Sequence, residues 1–235
     1  MTDITPDLLA ALATIDTPTV CNALEIVAPE RRAIGFTTER LECLYPSLKP
    51  IVGFARTATF RSLQPQNLSS DEARKRRTGY YEYIATGGPT PSIAIIQDLD
   101  GARAGFGSFW GEVNSTIHKG LGCLGVVTDG SVRDVDMNAP GFQMLCRLVV
   151  PSHAHFHIVD YGGTVNVAGM VVENSDLIHA DRHGAVVIPK NVAGKIMAAA
   201  DLLARREAVV IAAAKAPGFD LDRLWKAFAE ANNIK

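Results

Sequence analysis

The stretch "FWGEVNSTIHKGLGCLGVVTDGSVRD", residues 109–134, decides the fold. Its middle, "GEVNSTIHKGLG", reads as a short helix that opens at Gly111 and closes near Gly120 and Gly122, where glycine suits a helix C-terminus. "CLGVVTDG" follows as a short apolar run stopped by Asp129-Gly130, the pattern of a buried strand. A helix that feeds a strand this way brings the helix start and the strand end to one edge of a sheet. Glu112 should therefore meet Arg133 and Asp134, although 22 residues separate Glu112 from Asp134.

Upstream, "TPDLLAAL" and "TPTVCNALE" place Thr5-Pro6 and Thr17-Pro18 as helix openings, each threonine capping and each proline in the first turn. Residues 28–50 are proline-punctuated and irregular. Residues 51–61 read as a strand with Thr57 and Thr59 on one face, 70–85 as a charged helix, and 92–98 as a second strand. "GARAGFGSFWG" (101–111) reads as a glycine-rich loop. Downstream come strands at 143–150, 154–160, 163–172 and 184–189, with a hairpin turning at Arg182 to Gly184. A helical tail closes the chain, with Ile196, Ala199, Ala200 and Leu203 on its apolar stripe. Strand–helix–strand followed by consecutive strands predicts a layered α/β fold, organised as one domain over 1–235 with its core at about 15–215.

The composition is that of an ordinary globular protein, with 47% apolar and 20% charged residues. A net charge of −2 argues against nucleic acid as the main partner, since phosphate binding needs a basic face. The basic run "DEARKRR" (71–77) fits a docking patch or the solvated face of a helix, and its acids-before-bases order favours the latter. Cys21, Cys43, Cys123 and Cys146 form no C-x-x-C pair, which fits reduced thiols in the cytoplasm. No leader segment and no membrane span are expected, because no apolar stretch approaches 18 residues. Neither G-x-G-x-x-G in the required context nor a phosphate-binding lysine loop is present.

Two features carry candidate chemistry. In "DGSVRD", a carboxylate beyond a strand end can hold a hard cation, and the neighbouring arginine can fork onto a carboxylate or an enolate oxygen. A decorated surface turn is the plain alternative. At Gly111, Glu112, Val113 and Asn114, free amides at a helix start can cradle an anion, with simple capping as the alternative. His153, His155 and His157 alternate as if on one face of a strand. Same-face neighbours there stand about 7 Å apart, which suits an exposed histidine face better than a single metal ion. His118 shows no partner in the sequence, and nothing marks Lys119 or Lys190 as a Schiff-base lysine.

Taken together, 109–134 resembles the signature of the RraA-like family: a G-[DE] pair opening a helix, then a strand ending in D-G-x-x-R-D. "TPTVCNALE" and "SDLIHADRHGAVVIP" resemble that family's N-terminal segment and its late hairpin, so the likeness runs over about 15–215. The family includes 4-hydroxy-4-methyl-2-oxoglutarate / 4-carboxy-4-hydroxy-2-oxoadipate aldolases and regulators of RNase E. The resemblance implies a ββα sandwich of the swivelling-domain type with flanking N- and C-terminal helices. It also implies a homotrimer or homohexamer with sites near subunit boundaries. By position, the amides of Gly111 to Asn114 and Arg133 would bind a keto acid, and Asp134 would ligate Mg²⁺ or Mn²⁺. Glu112 would act on the metal through water, and Glu207 would approach from a neighbouring subunit. The implied reaction is lyase cleavage of a 4-hydroxy-2-oxo acid to pyruvate, with oxaloacetate decarboxylation through the same enolate. The rival readings are a non-catalytic, protein-binding regulator of RNase E type and a lyase or decarboxylase acting on another keto or sugar acid. The long 28–50 segment, Glu in place of Asp at 112 and the three histidines depart from the aldolase pattern.

Overall fold

The computed structural model describes residues 4–235. The first half runs α1 (Pro6–Leu12), α2 (Thr17–Val27), β1 (Glu42–Cys43), β2 (Ile51–Arg61), α3 (Ser70–Thr86), β3 (Ser92–Asp98), β4 (Ser108–Trp110), α4 (Glu112–Gly120), β5 (Cys123–Thr128) and β6 (Ser131–Val132). The second half runs β7 (Gln143–Cys146), β8 (Leu148–Val149), β9 (His157–Tyr161), β10 (Val165–Val167), β11 (Met170–Val172), β12 (Leu177–Asp181), β13 (Gly184–Ile188), α5 (Ile196–Lys215) and α6 (Leu221–Asn232).

The main sheet has the order β1-β7-β5-β3-β2-β12-β13. Strands β2, β3, β5 and β7 are parallel, which requires crossovers, and α3 and α4 supply two of them. The eleven-residue β2 is long enough to serve two partners on one edge. Its first half pairs with β12 and its second half with β9, both antiparallel.

Side-chain alternation divides the layers. Val52, Phe54, Ala58 and Phe60 point to the helical side, while Ile51 and Ala55 point to the other. Ala94 and Ile96 likewise face the helices, and Ile93 and Ile95 face away. The far side is closed by the β10–β11 hairpin, whose Val165, Val167, Met170 and Val172 are buried. All four β3 side chains from Ile93 to Ile96 are therefore inaccessible, as in sheets covered on both faces. Each fully buried isoleucine contributes about 1.5–3 kcal/mol by leaving water. The layered α/β architecture with flanking helices agrees with the sequence reading.

Several local expectations are corrected. Asp16, not Thr17, caps α2: its carboxylate accepts from Thr19 N at 2.9 Å, and Thr17 is the first helical residue. Residues 108–110, expected in a loop, form β4, which joins β6 and β8 in a small second sheet. The run 143–150 is not one strand. It breaks at Arg147, because β7 belongs to the main sheet and β8 to the small one. The run 163–172 is a hairpin, turned by Ala168 (φ 50°) and Gly169 (φ 84°). Only His157 of the three alternating histidines lies on a strand, since Ala154 adopts φ 45° and breaks the extended run. The helical tail is followed by a second helix, α6, after Pro217-Gly218.

Candidate active site

β5 delivers the chain to Asp129-Gly130, and β6 then carries it to Arg133 and Asp134. β6 pairs in parallel with β4, and Arg133 N donates to Trp110 O at 2.9 Å. The exit of β4, which is Gly111, thus lies beside the exit of β6. The expected meeting of helix start and strand end is present. Asp134 Oδ2 stands 3.3 Å from the amide of Glu112 and 3.5 Å from Arg133 Nε.

Asp134 is held there by its backbone. It adopts φ 53°, an uncommon conformation for a non-glycine residue, and its carbonyl accepts from Met137 N and Asn138 N at 2.8 and 3.0 Å. Asn138 Nδ2 in turn donates to Arg133 O at 3.0 Å. Gly111 is extended, so its need for glycine is space: an ideal Cβ would lie 2.5 Å from Asp134 Oδ2. The first bond inside α4 runs from Ser115 N to Gly111 O. Glu112 N is spent on Asp134, and the amides of Val113 and Asn114 have no partner within the chain among the described residues. The amides left free to meet a ligand are therefore these two rather than the whole run from Gly111.

A cavity of about 490 Å³ opens at this point, within the range of small-molecule sites. Gly111, Val113, Asn114, Arg133 and Asp134 line it. Glu112 does not line it. Its side chain is exposed in the first turn of α4. Glu207 lies exposed on α5, also outside this lining. His153 and His157 line the cavity, whereas His155 does not. Among the described residues, no three His, Cys, Asp or Glu side chains cluster as a metal cage.

A wall that the sequence reading missed comes from α3. Arg74, Arg76, Arg77, Tyr80 and Tyr81 all line the cavity. The helix expected at 70–85 is present, with Ser69 and Glu72 forming a capping box at its start. Its basic residues, however, face a cavity as well as bulk water. The tyrosines fix α3 to α4. Tyr81 O–H donates to Asn114 Oδ1 at 2.7 Å, and Asn114 Nδ2 donates to Phe109 O at 2.6 Å. His118 does have a partner. Its Nδ1 lies 2.7 Å from the carbonyl of Asn114, which can only accept, so Nδ1 carries the proton. Nε2 then accepts from Tyr80 O–H at 2.7 Å. Burial pulls the His118 pKa down to about 4, only partly countered by the Asn114 carbonyl, so the ring is neutral.

Asp129 is more than turn geometry. Its Oδ1 accepts from Asp98 N at 2.7 Å, and Asp98 Oδ2 accepts from Gly105 N at 2.7 Å. These bonds tie the end of β5 to the end of β3 and to the loop before β4. Burial raises Asp129 to about 6, with the nearby Asp98 carboxylate adding to the effect. Gly130 is required by close packing, since a Cβ would lie 2.5 Å from the Phe60 ring.

Among the described residues, Asp134 is the only carboxylate lining the cavity, and its Oδ1 makes no hydrogen bond with them. Mg²⁺ typically binds through one or two carboxylates and completes its shell with water and substrate oxygens, and Mn²⁺ accepts the same donors. The donor set fits such a cation.

The fold and this cavity define an α/β protein with a cavity, lined by arginines and one carboxylate, beyond the carboxyl ends of its parallel strands. The chain belongs to the RraA-like family: the profile described as "RraA-like: Aldolase/RraA" matches residues 17–187. The family contains both lyases and non-catalytic regulators. An uncharacterized protein from Methanocaldococcus jannaschii is 29% identical over 150 residues, covering 62% of this chain and 72% of its own. Among solved structures, an uncharacterized protein from Pseudomonas syringae pv. tomato aligns at TM-score 0.71 and 21% identity, over 96% of this chain and 95% of that one. Streptomyces coelicolor RraAS2, described as an unusual member of the RNase ES inhibitor RraA family, aligns at TM-score 0.67 and 23% identity, over 88% and 96%. At these identities the structural likeness establishes the fold. No helix among the described residues is long and apolar enough to cross a membrane.

Proposed function

We propose that this chain is a divalent-cation-assisted lyase. Its substrate would be a 4-hydroxy-2-oxo acid, such as 4-hydroxy-4-methyl-2-oxoglutarate or 4-carboxy-4-hydroxy-2-oxoadipate, and its product pyruvate, with oxaloacetate decarboxylated by the same site. The observation that carries this reading is the convergence of Arg133, Asp134 and the free amides of Val113 and Asn114 on one cavity.

Arg133 offers a planar fork of donors to the 2-oxo acid, and the two amides at the positive end of α4 add to it. Asp134 would hold Mg²⁺ or Mn²⁺, which supplies Lewis-acid stabilisation of charge on the 2-oxo oxygen when bound. The C4 hydroxyl proton leaves to a water in the cavity, and Glu112, exposed outside the lining, orients that water only if its side chain turns inward. The C3–C4 bond then breaks, its electron pair staying on C3 as the pyruvate enolate and C4 leaving as a carbonyl. Arg133 stabilises the enolate as charge develops, and protonation at C3 gives pyruvate. Members of this family are oligomeric, and Glu207 acts at this site only if a second copy delivers it.

Pyruvate release, coupled to lactate dehydrogenase and followed with and without a chelator, tests the reading. Turnover is expected with Mg²⁺ or Mn²⁺ and its loss on chelation. Arg133→Ala and Asp134→Ala are each expected to lower kcat/KM by about 10²–10³ without changing the circular dichroism spectrum. Near-normal rates in either variant overturn the site assignment. No turnover on any of these acids with metal present favours the regulator.

A further inference from the structure

The reaction proposed above uses the wall formed by α4 and Arg133-Asp134, and leaves the α3 wall without a task. Ser70, Ala73, Arg74, Arg77, Tyr80 and Tyr81 recur at the three-and-four spacing of one helical face, and all six line the cavity. The hydrogen bonds from Tyr80 to His118 and from Tyr81 to Asn114 lock this face against α4. The arginines on α3 are not equivalent. Arg74 is engaged by Asp71 at 2.9 Å, and Arg76 donates to the carbonyl of Val159. Arg77 makes neither an ion pair nor a hydrogen bond among the described residues. The cavity thus holds four arginines against a single carboxylate, Asp134, which already contacts Arg133. On a chain of net charge −2 this is a local excess of positive charge. Guanidinium groups stay charged at any physiological pH and match carboxylate or phosphate oxygens in a fork.

We propose that Arg77 is a specificity-determining residue that binds a second anionic group, at the end of the substrate away from its 2-oxo acid. The inference rests on reading the cavity as a 2-oxo-acid site. The acids named above already carry a further carboxylate at that end; what is added is that Arg77 on α3 recognises it, or a phosphate-type group in its place. A 2-oxo acid with an apolar tail leaves Arg77 unneutralised and binds more weakly.

Calorimetric titration of the full chain with Mg²⁺ present tests this with three probes: 2-oxopentanoate, 2-oxoglutarate and 2-oxo-4-phosphonobutanoate. They share the 2-oxo acid and differ at the far end, which is neutral, a carboxylate or a phosphonate. The better-bound of the two anionic probes is expected to exceed 2-oxopentanoate by about tenfold in affinity, and which one it is separates the two sources of charge. Arg77→Gln is expected to reduce that preference to about twofold or less while leaving 2-oxopentanoate unchanged. Lys75→Gln, which alters an exposed residue of the same helix outside the lining, should preserve the preference. Equal binding of all three probes by the unsubstituted protein overturns the proposal but not the keto-acid reading. So does a preference that survives Arg77→Gln or falls equally in Lys75→Gln. Binding of none of the three overturns the keto-acid reading and this proposal with it.

Discussion

Replacing Gly111 by alanine puts a methyl carbon only 2.5 Å from Asp134 Oδ2, and Arg133 Cγ at 3.2 Å leaves little room beside it. The carboxylate must move, because the backbone of Asp134 is pinned by Met137 and Asn138. Displacement of a catalytic group by about 1 Å costs about 10² in rate, so Gly111→Ala is expected to lower kcat/KM for pyruvate release by that order. The melting temperature should change by only a few degrees. Unchanged kinetics would show that the placement of Asp134 is not critical. At this scale the wall at 111–134 was legible in the sequence, because both halves lie in one short stretch joined by a recognisable helix and strand. The α3 wall was not. Acids before bases in a helix describe a solvated face equally well, and only packing reveals that Arg77 looks into a cavity. The partner of His118 was hidden for the same reason, since Tyr80 lies 38 residues away.

Among the elements, α1 and α2 are fastened to the sheet by one buried imidazole. His179 Nε2 lies 3.2 and 3.1 Å from the carbonyls of Leu12 and Ile15, so it carries the proton, and Nδ1 accepts from the Thr17 hydroxyl at 3.0 Å. Asp181 adds a bond from Thr17 N at 2.9 Å. His179→Leu leaves the Ile15 carbonyl and the Thr17 hydroxyl without this partner, while Leu12 O keeps its bond from Ile15 N at 3.3 Å, and is expected to cost about 1–3 kcal/mol, read from the urea midpoint. A cost below about 0.5 kcal/mol would mean that water replaces the ring. Strand positions followed well from apolar runs, as at β3 and β5. Strand continuity did not. Residues 143–150 look continuous because β-branched and apolar residues run through them, but the chain changes sheets at Arg147. Residues 163–172 conceal a turn because Ala168, a residue without turn preference, takes the left-handed conformation before Gly169.

Across the whole molecule, two buried histidines and the half-buried Asp129 shape stability against pH in opposite directions. His118 titrates near 4 when folded against an ordinary 6.5. Between those values the unfolded chain binds a proton that the folded chain refuses. Its contribution is present in full above 6.5 and is lost as pH falls towards 4, by about 3 kcal/mol. Burial lowers His179 as well and acts in the same sense. Asp129 works oppositely: its folded value near 6 exceeds the ordinary 3.8, so stability from this group falls as pH rises across that window. Urea unfolding between pH 4.5 and 7, about the span these groups cover, should show stability decreasing on acidification, more steeply in Asp129→Asn. A flat profile in both proteins would mean that His118 is not held neutral.

Two walls of the cavity are written in different places along the chain. One comes from residues 108–134 and the other from a single helical face within 70–81, joined through a few tyrosine hydrogen bonds. Inheritance can act on them separately. Substitutions at the exposed arginines of α3 can redraw what the cavity accepts while the strand-and-helix pair that aims Arg133 and Asp134 stays as it is. A lineage built on this scaffold can therefore change its diet one side chain at a time without having to reinvent its chemistry.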